Sequence, residues 1–402
     1  MVIPQKQFWH KKIRVIGRDI VVVLLAIVIV GLIVLVSMRG ASKLVYGLLG
    51  PSIVQPDLAI TVTDPKQPGY GMALGNTLLH MHPQQLNAEL QDIASVGFTW
   101  IRTDIDWSEV QPNDAVHYDW AGYDAVVTAA SAHHLHVLGV LAYTPTWARP
   151  YNCSDSPKCA PDKISDYVTF AKAAAARYGP RGVFDWEIWN EPNFGFWEPT
   201  PNATIYTTML KMTYKAVKSV SSNAHIITGG LAPAADSANS IAPRTFLQQM
   251  YLNGARGYFD AVGDHPYSYP APPDVLYDWS GWSQMADTPV SLRSIMQANG
   301  DGNKAIWITE FGAPTSGFGV AASLTDFRAN LDAKYVDEQY QSAIAQQAIA
   351  TYKTDTWAGP MFWYSYKDLG TSQDTNENFF GIVRADGTQK PLYNEFKKLF
   401  GH

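Results

Sequence analysis

The sequence predicts an α/β protein, a closed (β/α)₈ TIM barrel preceded by a single N-terminal transmembrane helix. Eight short β-type runs alternate with longer amphipathic segments from residue 70 onward, an order typical of parallel strands joined by crossover helices. Eight such units over about 330 residues fit a closed barrel. One long apolar run near the N-terminus predicts the membrane helix.

The first segments of the chain are a basic tail (1–19), the transmembrane helix (20–38) and a Pro- and Gly-rich linker (39–69). The seventeen apolar residues from Ile20 to Val36 would span about 26 Å at roughly 1.5 Å per residue, near the thickness of the hydrocarbon core. Five Lys or Arg precede the run and two follow it closely. This asymmetry predicts a single-pass protein of the cell membrane, with a cytoplasmic N-terminus and an extracellular or envelope body. A cleaved signal peptide is the alternative, although its apolar region is usually shorter.

Residues 70–402 form the predicted catalytic domain. The candidate strands are 71–75, 100–107, 136–143, 184–191, 225–232, 260–267, 305–312 and 359–366. The candidate helices are 83–96, 119–133, 163–178, 203–220, 243–253, 287–298, 335–353 and 390–399. An open doubly wound sheet is the structural alternative. It would carry a glycine-rich phosphate turn after its first strand, and GYGMALG lacks the required glycine spacing.

Charge argues against nucleic acid as a partner. The formal net charge is −6, and residues 1–45 contain seven Lys or Arg against one acidic residue, so the remainder is strongly acidic. Phosphate binding needs a basic face. Glycans and other small substrates stay possible.

Cys153 and Cys159, the two cysteines of the chain, lie in the loop-like stretch YNCSDSPKCAP. A lone pair in such a stretch predicts a local disulfide in an oxidising compartment, with two free thiols as the alternative. Zinc is not expected, because no second ligand pair accompanies them. The histidine clusters at 80–82 and 133–136 also lack acidic or cysteine partners, so the sequence predicts neither a metal nor a cofactor.

The residues that carry chemistry lie at predicted strand ends, where TIM barrels place their active sites. Asn190 and Glu191 end the fourth strand, His265 and Tyr267 the sixth, and Glu310 the seventh. Two carboxylates facing each other across a sugar can cleave a glycosidic bond, since one protonates the leaving oxygen and the other attacks the anomeric carbon. Glu191 and Glu310 are the best pair, because the fourth and seventh strands lie on opposite sides of the mouth.

Two motifs carry a family resemblance. WEIWNEPN (186–193) and WITEFG (307–312) resemble the acid/base and nucleophile strands of the retaining glycosidases of clan A. The stretch from WIRTDIDWSEVQP (100–112) to AYTPTWA (142–148) looks most like glycoside hydrolase family 39, with its exopolysaccharide glycosidases and β-xylosidases. Cellulase-like family 5 shares most of these positions and is the second choice. The clan resemblance covers residues 70–400.

The resemblance implies a retaining β-glycosidase with Glu191 as acid/base and Glu310 as nucleophile. Asn190 would hydrogen-bond the sugar 2-hydroxyl and strengthen that bond in the transition state. Arg102 would hold Glu310 ionised through a charge-assisted bond. Tyr267 would donate a hydrogen bond to the same carboxylate.

The remaining substrate contacts are expected from one histidine and several aromatic side chains. His265 would bind the sugar or position its neighbours, and Trp363 would form the apolar floor beneath the attacked sugar. Aromatic side chains in or beside the loops would stack on further sugar rings; these are Tyr143, Trp147, Trp197, Trp279 and Trp282. Loop-anchoring core packing is the alternative for each of these aromatic residues.

Four other carboxylates need weighing. Glu187 shares strand parity with Glu191, which favours a structural role facing inward near Arg102. Asp104 and Asp106 share parity with Arg102 and either support it or touch substrate. Asp264 is expected to lie outside the pocket or behind it.

The sequence therefore predicts a membrane-anchored enzyme that hydrolyses a cell-envelope or extracellular polysaccharide or oligosaccharide by double displacement. A catalytically silent glycan-binding barrel is the alternative from another class, and a transglycosidase would use the same residues. Sugar identity, linkage, endo or exo cleavage and oligomeric state are not predicted.

Overall fold

The computed structural model describes residues 69–153 and 155–401. The predicted basic tail, the transmembrane helix and nearly all of the linker lie outside these residues. Among the described helices, none combines the length and apolar character that crossing a bilayer requires.

Eight parallel strands close into a barrel, as predicted. They are β1 (Tyr70–Gly75), β2 (Trp100–Asp106), β3 (His136–Ala142), β4 (Asp185–Ile188), β5 (His225–Thr228), β6 (Ala261–Asp264), β7 (Ala305–Phe311) and β8 (Ala358–Tyr364). Their order around the barrel is β1-β8-β7-β6-β5-β4-β3-β2, and β1 pairs with both β2 and β8. The open sheet is therefore excluded.

Helices connect successive strands on the outside. They are α1 (Pro83–Val96), α2 (Trp107–Val110), α3 (Ala121–Ala132), α4 (Ile164–Tyr178), α5 (Ala203–Val220), α6 (Pro243–Leu252), α7 (Gly281–Ala286), α8 (Leu292–Ala298), α9 (Glu338–Tyr352) and α10 (Pro391–Phe400). A pair of two-residue strands, Ala321–Ala322 and Tyr335–Val336, forms in the loop after β7.

Local sequence explains where these helices begin and which face they bury. In α1, Pro83 occupies the first turn, where its missing N–H costs nothing. Leu86, Leu90 and Ile93 recur at helical spacing and are buried against the barrel. Asn202 caps the N-terminus of helix α5, and its side chain accepts hydrogen bonds from the backbone N–H groups of Thr204 and Ile205.

The lower half of the barrel is filled by side chains and supports the site above it. Trp100 on β2 packs edge-on against Trp307 on β7, with ring centroids 5.6 Å apart. Phe362 on β8 belongs to the same interior cluster. Because side chains alternate along a strand, the residues that follow Trp100 and Phe362 at even spacing also point inward.

Cys153 and Cys159 form the predicted disulfide, with an S–S distance of 2.05 Å. The bond closes a six-residue separation in the loop between β3 and α4. It therefore restrains a loop on the rim where the strands end.

Candidate active site

A cavity of about 550 Å³ opens at the carboxyl ends of the strands. Predicted site residues line it: Arg102, Tyr143, Asn190, Glu191, Tyr267 and Glu310. Their strands are spread around the barrel, so the closed topology brings them together. Asp104, which the sequence left between two roles, also lines this cavity.

Glu191 is held by a strained turn after β4. Its φ is +43°, and Trp189 two residues earlier has φ +71°. Non-glycine residues adopt this region at a cost of order 1–3 kcal/mol, and such strain clusters at functional sites. Asn193 anchors the turn, because its amide donates to the carbonyls of Ala232 and Ile241 at 2.8 Å each. The side chain of Glu191 is thereby aimed into the cavity.

Each oxygen of Glu310 accepts a hydrogen bond. Oε1 accepts from Arg102 at 2.5 Å, and Oε2 accepts from the Tyr267 hydroxyl at 3.0 Å. Burial on its own would raise the pKa of Glu310, but His265, Arg102 and the hydrogen bond from Tyr267 together hold that pKa below its usual value. The carboxylate is therefore ionised at neutral pH, as a nucleophile must be.

Arg102 is a positioning residue. Its side chain is 1% exposed, and its nitrogens donate to Glu187, Glu310 and Asn190. Glu187 is fully buried and also accepts hydrogen bonds from Gly230 N at 2.7 Å and from Thr309 Oγ1 at 3.1 Å. This network fixes the guanidinium against Glu310 and agrees with the structural role predicted for Glu187.

The amide of Asn190 is oriented by the same network. Its Oδ1 accepts from Arg102 at 2.8 Å, which leaves the NH₂ group facing the cavity that Asn190 lines. That group can therefore donate to a bound molecule next to Glu191 and Glu310.

His265 lies between the two candidate catalytic carboxylates. Its Nδ1 is 3.0 Å from Glu191 Oε1 and 3.6 Å from Glu310 Oε2. Burial would lower the pKa of His265, but Glu310 and the hydrogen bond with Glu191 raise it above its usual value. Gly230 makes room for this ring, because a Cβ there would lie 2.1 Å from His265 Nε2.

Glu191 and Glu310 approach closely. One oxygen of each lies within 4.8 Å of the other and of a nitrogen of His265. Three such groups could present ligands to a cation, but Arg102 and Tyr267 already donate to both oxygens of Glu310. The adjacent guanidinium would also repel a metal ion. The geometry fits acid–base and nucleophilic chemistry better than metal binding.

Several predicted aromatic contacts need correction. Trp363 is 1% exposed and points away from the barrel axis, where it packs against Phe311 on β7 and Phe396 on α10. It is therefore not the floor beneath a sugar. The neighbouring Tyr364 shares the inward face of Phe362 and lines the cavity instead.

The tryptophans predicted in the loops are likewise part of the packing. Trp197 is 1% exposed and lies between Trp189 and Tyr206. Trp282 is equally buried and packs against Phe311. Neither residue lines the cavity.

Trp147 and Trp279 also lie outside the cavity lining. The Trp147 indole donates to the carbonyl of Gln111 at 2.7 Å and packs edge-on against Trp107. Trp279 is exposed and stacks on Tyr277.

Sequence reasoning missed most of the aromatic residues that do line the cavity, together with one carboxylate. They are Phe194, Phe196, Tyr269, Tyr364, Phe380 and Glu377. Most of them lie in loops, where no periodicity assigns a direction. Tyr364 follows Phe362 by two residues on β8. Because side chains alternate along a strand, an inward-facing Phe362 predicts an inward-facing Tyr364.

We expect Tyr267→Phe to shift the pH dependence of the reaction. Loss of the hydroxyl donor raises the pKa of Glu310, so the carboxylate becomes protonated and inactive at a higher pH. The acidic limb of kcat/KM should therefore move upward, with a loss of about 10- to 100-fold at the optimum. A pH–rate profile of purified wild-type and variant protein measures this shift. An unmoved acidic limb would mean that Tyr267 does not act through Glu310.

The family model described as Cellulase (glycosyl hydrolase family 5) matches residues 65–346. No curated protein sequence gives a significant match.

Solved structures similar to this chain include members of both families suggested by the motifs. A family 39 glycoside hydrolase from Bacteroides cellulosilyticus WH2 aligns with a TM-score of 0.62 and 22% identity, over 83% of this chain and 63% of that one. A family 39 β-xylosidase from Caulobacter crescentus gives 0.57 and 19%, over 84% and 73%. A GH5_18 protein from Streptomyces cattleya, solved with GlcNAc, gives 0.58 and 16%, over 83% and 80%. The chain thus spans less than two thirds of the Bacteroides protein, and these likenesses establish the barrel fold.

Proposed function

Because this chain belongs to the cellulase family, glycosyl hydrolase family 5, we propose that it is a retaining β-glycosidase in which Glu191 and Glu310 are the catalytic pair. Glycosidase activity follows from the family. The retaining reaction, the residue roles and the substrate class are inferred from the cavity.

The observation that carries the proposal is the closeness of the two carboxylates. Retaining glycosidases place them about 5–5.5 Å apart, whereas inverting enzymes leave about 6.5–9.5 Å for a water molecule. An oxygen of Glu191 lies within 4.8 Å of one from Glu310. This spacing supports direct attack by Glu310 on the anomeric carbon.

The first step would form a glycosyl ester. Glu310, held ionised by Arg102 and Tyr267, attacks the anomeric carbon as the bond to the leaving oxygen breaks. Glu191 gives its proton to that oxygen. The Asn190 amide would donate to the sugar 2-hydroxyl, and such bonds strengthen in the transition state.

The second step would release the sugar. Once Glu310 is esterified it no longer carries charge, and Glu191, now a carboxylate, takes a proton from water as that water attacks the anomeric carbon. Two inversions give net retention. His265, within hydrogen-bond distance of Glu191, would hold that carboxylate in place during both steps.

A silent glycan-binding barrel is the alternative from another class. The strained backbone at Glu191 and the paired donors on Glu310 favour catalysis, since binding alone needs neither. A transglycosidase differs only in whether water or another sugar accepts the glycosyl group. Its acceptor would occupy the same cavity.

The N-terminal region supports the proposal that the enzyme acts at the cell surface. The apolar run from Ile20 to Val36 and the basic residues before it favour an anchor with the barrel outside the cytoplasm. We expect the full-length protein to stay with membranes after alkaline carbonate extraction. Release into the supernatant would contradict anchoring without touching the catalytic proposal.

A substrate panel tests the proposed activity. Purified protein is incubated with aryl β-glycosides and with soluble β-glucan, β-mannan, β-galactan and xylan, and products are separated by length. We expect hydrolysis of at least one substrate, with the β-anomer formed first by NMR. First formation of the α-anomer would overturn retention, and the absence of any cleavage would favour the binding protein.

A further inference from the structure

A short segment at the end of the disulfide-closed loop lies behind the catalytic cavity. We call this segment, residues 157–160, the brace. The Thr144 backbone N–H donates to the carbonyl of Pro157 at 2.8 Å, and the Thr144 hydroxyl donates to the carbonyl of Cys159 at 2.6 Å. Thr144 is fully buried and directly follows Tyr143, which lines the cavity. These bonds therefore fix the brace against the chain that leaves β3.

The brace also pairs with the loop after β4, which carries Glu191. The backbone N–H of Glu198 donates to the carbonyl of Lys158, and the carbonyl of Glu198 accepts from the N–H of Ala160, at 3.0 Å each. Cys159, whose sulfur is in the disulfide, lies opposite Glu198 as in a pair of parallel strands. The disulfide and these backbone bonds give the Lys158 side chain a fixed origin beside this loop.

Lys158 places its ammonium over an aromatic residue of the cavity. Its Nζ lies 3.7 Å from the centroid of the Phe196 ring, well inside the distance of about 6 Å at which a cation is attracted to the face of a ring. Lys158 is half-buried, and partial loss of water around the ammonium strengthens this attraction. A cation of the protein thus holds one face of Phe196, while Phe196 contributes to the cavity lining.

Phe196 is connected in turn to the strained turn at Glu191. The carbonyl of Phe196 accepts a hydrogen bond from the Trp189 indole at 2.6 Å, and its ring centroid lies 6.2 Å from that of Tyr143. Trp189 is fully buried, has a positive φ and precedes Glu191 by two residues. A displaced Phe196 would release Trp189, and the backbone that aims Glu191 would lose a support. General acid catalysis depends on this aim, because the acid must lie within hydrogen-bond reach of the leaving oxygen.

We propose that Lys158 is a positioning residue for the acid/base Glu191: its ammonium holds Phe196, and the disulfide between Cys153 and Cys159 holds Lys158 in place. Lys158 itself does not line the cavity, so it acts through Phe196 and not on the substrate. This inference rests on the proposed glycosidase function and adds a support behind its acid/base. The disulfide then serves catalysis as well as restraining a loop on the rim.

Lys158→Met tests the ammonium, because methionine keeps an unbranched side chain and loses the charge. We expect kcat/KM on a cleaved oligosaccharide, whose leaving group needs the proton of Glu191, to fall by about 5- to 30-fold, the range that a partly desolvated cation–π contact supports. On a dinitrophenyl glycoside of the same sugar, whose leaving group needs no proton, kcat/KM should fall by less than about twofold. An equal loss on both substrates, or no loss on either, would overturn the proposal.

Two matched variants accompany Lys158→Met. Arginine is also a cation that stacks on aromatic faces, so Lys158→Arg should stay within about threefold of the wild type on the oligosaccharide. Lys172→Met makes the same chemical change at an exposed position of α4 outside the cavity lining and should behave as the wild type. If Lys158→Arg loses as much activity as Lys158→Met, the charge over Phe196 is not what positions Glu191 and the proposal fails.

The disulfide is tested by replacing both of its cysteines. The double variant Cys153→Ala, Cys159→Ala should lower kcat/KM on the oligosaccharide and largely spare the dinitrophenyl glycoside, as Lys158→Met does. Adding Lys158→Met should then cost less than about a further twofold, because both changes release the same ring. Losses that multiply in full would show that Lys158 acts independently of the disulfide and would contradict the proposal. If the alanine pair does not fold, the Lys158 variants still decide the question.

Unfolding separates this inference from the proposed function, because it needs no turnover. Lys158→Met, Phe196→Leu and their combination are compared with the wild type by urea denaturation. The combined variant should lose less free energy of unfolding than the sum of the two single losses. If this coupling is found but the wild-type protein cleaves no substrate, the hydrolase proposal fails and the hold of Lys158 on Phe196 stands. If glycans are cleaved and the losses are simply additive, the hydrolase stands and the positioning role fails.

Discussion

Glu310→Gln should reduce turnover of every cleaved substrate by at least about 10⁴-fold, the order of loss seen when a catalytic nucleophile is removed. Glutamine has the shape of glutamate but cannot form the glycosyl ester. Arg102 keeps its contacts with Glu187 and Asn190, so the surrounding network should hold and the protein should still fold. Steady-state kinetics and a thermal melt of the same preparation measure both expectations.

The control for this variant is Asp332→Asn, which removes a carboxylate from an exposed position outside the cavity lining and should retain full activity. Glutamine can revert slowly to glutamate, so Glu310→Ala is made in parallel and should be equally inactive. Activity within about tenfold of the wild type in Glu310→Ala would remove Glu310 from the mechanism. A loss of the cooperative melt in both variants would instead indicate a structural role.

Glu191→Ala should have an effect that depends on the leaving group. General acid catalysis contributes roughly 10²- to 10⁴-fold, and the gain is largest when the leaving oxygen is a poor leaving group, as in a glycan. Dinitrophenolate leaves without needing a proton, so the attack of Glu310 on the anomeric carbon of a dinitrophenyl glycoside should remain fast. The glycosyl ester should then accumulate, because no base activates water.

Azide separates this role from a structural one. A small anion fits the space left by the side chain and attacks the ester without needing a base. We therefore expect azide to restore turnover of the dinitrophenyl substrate and to yield the β-glycosyl azide, identified by NMR. An equal loss on glycan and dinitrophenyl substrates, without rescue by azide, would argue against an acid/base role for Glu191.

The sequence predicted the barrel well because β-type runs and longer amphipathic segments alternate regularly along the chain. Each observed strand overlaps its predicted run, although the runs for β4, β5 and β6 extend three or four residues past the observed ends. Strands joined by right-handed crossovers in sequence order close into a barrel in one way. The two motifs around Glu191 and Glu310 are equally informative, because strand ends in this fold meet at one mouth. The closed barrel brings residues that are far apart in the chain together at one rim.

Side-chain direction was harder to predict. Trp363 and Tyr364 are adjacent on β8, and alternation alone does not say which of them faces the axis. The interior packing of Phe362 decides it, and this packing depends on the neighbouring strands. Trp197 and Trp282 show the related difficulty in loops, where a large aromatic residue serves as an anchor as readily as a sugar platform.

Glu377 lay beyond sequence reasoning for another reason. It has no motif and no periodic context, and its direction depends on the contacts that Asn376 makes with a loop about 40–60 residues away in the chain. The sequence placed Asp104 on the same face of β2 as Arg102. It did not show whether the Asp104 side chain supports Arg102 or faces a ligand, and this became clear only from the cavity that Asp104 lines.

Trapping of the glycosyl enzyme tests the central claim most directly. The wild-type protein is treated with 2-deoxy-2-fluoro dinitrophenyl glycosides that match the sugars accepted in the panel, and then digested for peptide mass spectrometry. We predict one added fluorosugar per protein, located on the peptide that contains Glu310, and no addition in Glu310→Gln. A label on any other residue would contradict this account of the site.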